Sequence, residues 1–287
     1  MIGQSPVFCA GPDLTLETLG NGMPKLIAAD EPHPVGAERL AAAGRYLVLA
    51  DHAGNAVPRA LENLGLSQHD LDRHIGIDIG ILGVSRHLSR LLDSSLIYQR
   101  YSRLVIDCNR PPASISSMPE ISDGTRVPKN RAISGDDRQQ RIGEIFQPYH
   151  AAITGWIDER LAVASPPVVI AMHSFTPRHG DYPAPRPWPI GVLFNRDDRL
   201  ARPMIRLLEA EGIGAIGINQ PYGVDDEMDY AVPVHCEARG LLHVEFEIRQ
   251  DLIAGEAEQL IWAERLARLL PLALDEIQKA AANSAAA

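Results

Sequence analysis

The chain has 287 residues, 45% of them hydrophobic and 22% charged, with a formal net charge of -10. That composition belongs to a globular protein with a sizeable core, and the acidic balance argues against nucleic acid as a main partner, because phosphate binding needs basic surface. Cys9, Cys108 and Cys236 are scattered with no CxxC pair, no stretch approaches the ~20 apolar residues of a membrane span, and no basic segment leads into an apolar one at the N-terminus; these features predict reduced thiols, no membrane partner and a cytoplasmic location.

Residues 1–44 are rich in Gly and Pro and read as an irregular lead-in. A strand is predicted at about 45–51, where Leu47-Val48-Leu49-Ala50 runs into Asp51 and His52. Ser67-Gln68-His69-Asp70 has the pattern of a helix N-terminus, and the helix is predicted to continue to Leu92 with Leu71, Ile75, Leu82, Leu88 and Leu91 facing the core. Leu96-Ile97-Tyr98 and Leu104-Val105-Ile106 read as two strand segments or one bent strand. Residues 111–135 form a long loop, and a helix at about 136–163 is predicted to kink or break near Pro148. A second buried strand, at about 167–172, runs into His173. Gly191 to Phe194 and Ala215 to Ile218 are further strands, with a helix at about 197–211 between them. After a polar loop at 219–239, Leu242 to Ile248 reads as a strand and 254–280 as a terminal helix. Alternating strands and helices predict one α/β domain over 1–287, a three-layer α/β/α arrangement around a mostly parallel mixed sheet.

Two buried strands that end in histidines deliver both imidazoles to the sheet edge where open α/β folds bind ligands. Imidazole is the commonest protein ligand for zinc, so His52 and His173 are candidate metal ligands. His74 and Asp78 are four apart on the predicted helix and share a face. Asp78 lies among Ile75, Ile77, Ile79 and Ile81, and a carboxylate buried in that company needs a cation or a donor. Arg103 and Arg110 bracket a polar segment and are candidate carboxylate clamps, with Asp107 open to pairing with an arginine. Cys108 reads as a small buried residue rather than a nucleophile. Ser174 is a supporting hydroxyl, because strand neighbours point to opposite faces and no GxSxG elbow is present. Asn55 and Asp51 are candidates to hold an imidazole or bind substrate. Glu245 and Glu247 share a strand face that Arg249 continues; they are either solvent-facing on an edge strand or carboxylates kept for chemistry. Gly212 to Gly217 matches GxGxxG, but a helix precedes it and none follows, so Gly212 is better read as a helix C-terminus.

Taken together, Asp51 through Pro58, His74 through Gly80, Arg103 through Pro112, His173-Ser174-Phe175 and Glu245 through Ile253 resemble the N-formylglutamate amidohydrolase family. The resemblance implies the phosphorylase/hydrolase-like fold of zinc carboxypeptidases and aspartoacylases, and hydrolysis of an amide next to an acidic amino acid. It also implies a place in amino-acid catabolism such as histidine degradation. Related carboxypeptidases take two zinc ligands from HxxE, whereas the third residue after His52 is Asn55, a poor ligand. Asp78 is therefore the candidate carboxylate. On this reading His52, His173 and Asp78 hold Zn²⁺ or another divalent metal, and Glu247, or else Glu245, is the base for water. Arg110, with Arg103 or Arg249, binds the substrate carboxylate, and Asn109 orients the amide. Hydrolysis of another N-acyl amino acid or a small peptide, and metal or ligand binding without turnover, are the alternatives.

Overall fold

The computed structural model describes residues 25–42, 44–178, 180 and 184–286. Cys9 and most of the predicted lead-in lie outside them. Within the lead-in, Val35–Glu38 forms a strand, β1. Its pattern is hidden because Gly36 occupies an apolar position: a Cβ there would come within 2.2 Å of the Tyr98 ring, so a glycine lets the ring lie on the strand.

β2 (Tyr46–Ala50) follows, and every residue in it is buried. The helix predicted to continue to Leu92 is two pieces, α1 (Gln68–Leu71), capped by the Ser67 side chain, and α2 (Ile81–Leu91). Gly80 sits at φ +80, a left-handed conformation that stops a regular helix there. The turn between the two pieces carries His74 and Asp78. Of the two strand segments predicted near 95–108, one forms, β3 (Ser95–Gln99). Leu104, Val105 and Ile106 are buried in a looped segment instead. The predicted loop at 111–135 contains a small hairpin, β4 (Ile121–Ser122) and β5 (Thr125–Arg126).

The next helical segment consists of α3 (Gly135–Arg141), a wider turn at Ile142–Phe146, and α4 (Gln147–Ala162). Pro148 follows the wider turn within this continuous helical run, so the regular α pattern is interrupted beside the proline, which has no N–H to donate. β6 (Val168–Phe175) extends past the predicted end and contains His173. β7 (Ile190–Leu193), α5 (Ala201–Ala210), β8 (Gly217–Ile218), β9 (His243–Arg249) and α6 (Glu256–Ala286) complete the order. Gly212 follows α5 at φ +65, as its reading as a helix C-terminus predicts.

The seven main strands form one sheet in the order β1-β3-β2-β6-β9-β7-β8. β1 runs antiparallel to β3, and β7 to β9; the other pairs are parallel. Both faces are covered. Val48 and Ala50 of β2 pack in one core with residues of α2, α5 and α6. Leu47 and Leu49 point the other way, into a second core with Tyr149, Ile153 and Trp156 of α4. This is a single-domain α/β/α architecture with a mixed, mostly parallel sheet. β2, β6 and β9 are adjacent and parallel, so their carboxyl ends open on one edge. β9 is interior, which removes the edge-strand reading of Glu245 and Glu247. No described helix is long and apolar enough to cross a membrane.

Candidate metal centre

Asp51 and His52 follow β2 directly and are 1% and 2% exposed. The turn carrying Asp78 is tied to them by the Asp78 N–H, which donates to the His52 carbonyl at 2.9 Å. Asp78 Oδ2 lies 3.4 Å from His52 Nδ1 and 3.1 Å from His173 Nδ1. Among the described residues, His52, Asp78 and His173 form a group whose donor atoms lie within 4.8 Å of one another, close enough to share a metal ion. Although no helix joins them, His74 Nδ1 stays 3.5 Å from Asp78 Oδ1.

Both imidazoles are backed by carboxylates on the side away from Asp78. His52 Nε2 meets Asp107 Oδ1 at 2.7 Å, and His173 Nε2 faces Asp51 Oδ2 at 3.6 Å. Arg103 donates to Asp78 Oδ1 at 3.0 Å and to Asp107 Oδ2 at 3.4 Å, so it braces the carboxylate that faces both histidines and the one behind His52.

Burial alone would raise the Asp78 carboxyl; the nearby His52, His173 and Arg103 reverse this and hold it well below the usual range. Burial opposes charge on His173 too, yet Asp51 and Asp78 raise its pKa well above the ordinary histidine value. Both shifts express the same close pairing of imidazole with ionised carboxylates. Buried Nδ1 of His52 has no hydrogen-bond partner among the described residues. A lone pair left there, between a second imidazole and a carboxylate, fits a divalent cation.

On β9, Glu247 pairs in register with His173, and Glu245 with Ala171, farther from the carboxyl end. Burial, the largest effect, pushes Glu247 up to about 8 and Glu245 to about 7. Both line a cavity of about 660 Å³ together with His52, His173, Asn109 and Arg110. The loops at 111–135 and 219–239 supply part of its wall, including Asp123, Tyr222 and Asp229.

The predicted site residues divide into three groups. His52, His173, Asp78, Glu245 and Glu247 converge. Arg110 and Asn109 line the cavity, but Asn109 is committed to the wall: its Oδ1 accepts from the N–H groups of Tyr230 and Ala231, and its Nδ2 donates to Asp229. Arg110 uses one terminal nitrogen on Asp229 Oδ1 at 2.9 Å. Asn55, Ser174 and Arg249 are not brought into the cavity. Asn55 donates to Asp72 at 2.7 Å, and Ser174 Oγ to the Ile79 carbonyl at 2.9 Å, holding the turn beside Asp78. Arg249 stands at the end of β9 and pairs with Asp251 at 2.8 Å. Sequence reasoning missed Tyr149, whose hydroxyl donates to Asp51, and Asp229, which holds Arg110; neither lies in a patterned motif that marks it. Cys108 is fully buried and burial raises its thiol, in keeping with an inert core residue.

An α/β/α sheet that gathers buried imidazole and carboxylate donors at the carboxyl ends of its central strands has a hydrolase-like fold with a cluster of side chains that could hold a divalent metal. Comparison with known proteins narrows the class. The N-formylglutamate amidohydrolase family model matches residues 44–254, and the chain belongs to that family. The crystal structure of a gene product from Agrobacterium tumefaciens is similar at a TM-score of 0.84 and 38% identity, over 88% of this chain and 100% of that one. The crystal structure of an N-formylglutamate amidohydrolase from Ralstonia eutropha has the same fold, at a TM-score of 0.59 and 18% identity over 87% of this chain and 100% of that one. No curated protein matches.

Proposed function

We propose that this chain is a metal-dependent amidohydrolase, one catalytic unit over 1–287, that cleaves the N-acyl amide of an amino acid. N-formyl amides of acidic amino acids are the first choice, with the free amino acid and formate as products. The observation that carries this is the convergence of His52 Nδ1, His173 Nδ1 and Asp78 Oδ2, with Glu247 paired in register to one of these ligands.

His52, His173 and Asp78 would hold a divalent ion such as Zn²⁺, which when bound polarises a carbonyl and acidifies water. Glu247 takes a proton from the attacking water as the new C–O bond forms at the acyl carbon. It returns that proton to the nitrogen as the C–N bond breaks. Arg110 is the clamp for a substrate carboxylate; its bond to Asp229 orients it. Arg103, engaged with Asp78 and Asp107, braces the ligands. Such a reaction would serve amino-acid breakdown, and the free thiols of Cys108 and Cys236 agree with the reducing cytoplasm as its place.

Cavity size favours a second reading. A ligand of about a dozen non-hydrogen atoms, each taking rather less than the ~30 Å³ share of a liquid water molecule, fills on the order of 200–300 Å³. The cavity of about 660 Å³ has room for a larger acyl group or a small peptide.

A panel of N-formyl and N-acyl amino acids and short peptides, followed by amine release, tests both readings. Turnover is expected to vanish on chelation and return with Zn²⁺. Unchanged turnover in exhaustively metal-free protein overturns the metal reading, and zinc binding with no turnover across the panel identifies a binding protein instead.

A further inference from the structure

We propose that Asp51 and Tyr149 are positioning residues of the metal centre: the Tyr149 hydroxyl fixes Asp51, and Asp51 fixes His173 so that Nδ1 faces the ion. This rests on the reading of His52, Asp78 and His173 as metal ligands. Asp51 is the residue before one ligand, yet its carboxylate stands behind the other. Its Oδ2 and His173 Nε2 face each other at 3.6 Å, just beyond hydrogen-bond reach, and neither has a hydrogen-bond partner among the described residues. Both side chains are almost wholly buried. Tyr149, on α4, donates to Asp51 Oδ1 at 2.6 Å. Its ring is fully buried and lies 5.2 Å from that of His150, which leaves the hydroxyl little freedom.

The chemistry follows from what each atom can do. His173 stands between two carboxylates, Asp78 Oδ2 at 3.1 Å from Nδ1 and Asp51 Oδ2 at 3.6 Å from Nε2; with Asp78 committed to the ion, Asp51 is the acceptor left, so the proton of neutral His173 sits on Nε2 and the Nδ1 lone pair faces the ion. His52 shows the same arrangement with Asp107 behind it at 2.7 Å. The two supports differ in their own anchoring. Asp107 is braced by the Arg103 guanidinium and the Asn109 N–H, whereas Asp51 has a phenol from α4. Loss of that hydroxyl leaves Asp51 Oδ1 unpartnered in the core and frees the carboxylate to turn from His173.

The test is Zn²⁺ affinity, measured by competition with a chromophoric chelator at fixed pH, for the full-length wild type, Asp51→Asn, Tyr149→Phe and the double variant. Asp51→Asn is expected to weaken Zn²⁺ binding roughly 10–100-fold, the range for groups that orient a ligand. Tyr149→Phe is expected to weaken it less, and the double variant no more than Asp51→Asn, because the hydroxyl acts only through Asp51. Wild-type affinity in both single variants, or losses that multiply in the double variant, would overturn the proposal. Nitrogen-15 NMR of the zinc-loaded wild type tests it without mutation: His173 is expected to keep its Nε2 proton, and an Nε2 without one would overturn it. A wild type that binds no Zn²⁺ at all is a different result and defeats the metal reading itself.

Discussion

Two pairs of buried histidines lie in this molecule at almost the same spacing, and the fold treats them in opposite ways. The His52 and His173 ring centres are 5.0 Å apart, and those of His150 and His235 are 5.1 Å apart. Asp51, Asp78 and Asp107 surround the first pair. The second pair is stacked among Phe146, Tyr149 and Tyr230. His150 Nε2 donates to the Cys108 carbonyl, which can only accept, so His150 Nδ1 accepts from His235 Nε2 at 2.8 Å. Burial pushes His150 down to about 4 and His235 to about 3, while the carboxylates near His173 raise it against the same burial. Burial alone makes a neutral structural histidine. Burial with carboxylates makes a place for a cation.

The largest effect should separate the pairs outright. His173→Ala is expected to lose zinc and all detectable turnover, whereas His235→Gln should keep both, as read by zinc content and amine release. Zinc lost equally from both variants would erase the distinction. The next effect lies within the first pair's surroundings. Glu247→Gln should retain zinc and lose roughly 10²–10⁴-fold in rate, the usual range for a general base. Near-normal turnover would move that role to Glu245.

The smallest effect sharpens the second pair. A histidine whose folded pKa lies below its unfolded value of 6.5 contributes stability that is complete above that pH, and acid removes it as the pH falls through the folded value. Stability should therefore fall between pH 6.5 and about 4, and on toward about 3 for His235. The loss is on the order of a few kcal/mol. Urea unfolding of wild type and His235→Gln should show the gap between them narrowing as pH drops through that window. A constant gap would show that His235 does not titrate on unfolding.

The sequence alone determined the alternation of strands and helices, the two histidine-ended strands, the Asp78 carboxylate and the shared face of Glu245 and Glu247. These follow from short-range rules: apolar runs mark buried strands, strand side chains alternate, and an isolated acid among isoleucines needs a partner. What it left open is which groups meet. Asn55 stands three residues from His52 and bonds Asp72 instead. Arg249, two residues from Glu247, turns to Asp251 at the strand's end. Asp51, next to one ligand, stands behind the other. Tyr149 reaches the centre from a helix with no polar pattern to announce it. The interrupted helix at 72–80 was obscured because its apolar spacing resembles that of a helix, while the left-handed Gly80 breaks it. Neighbours in sequence fix local geometry through sterics. Hydrogen bonds and charge act through space, so the partners of His52 and His173 became visible only once β2, β6 and β9 lay side by side.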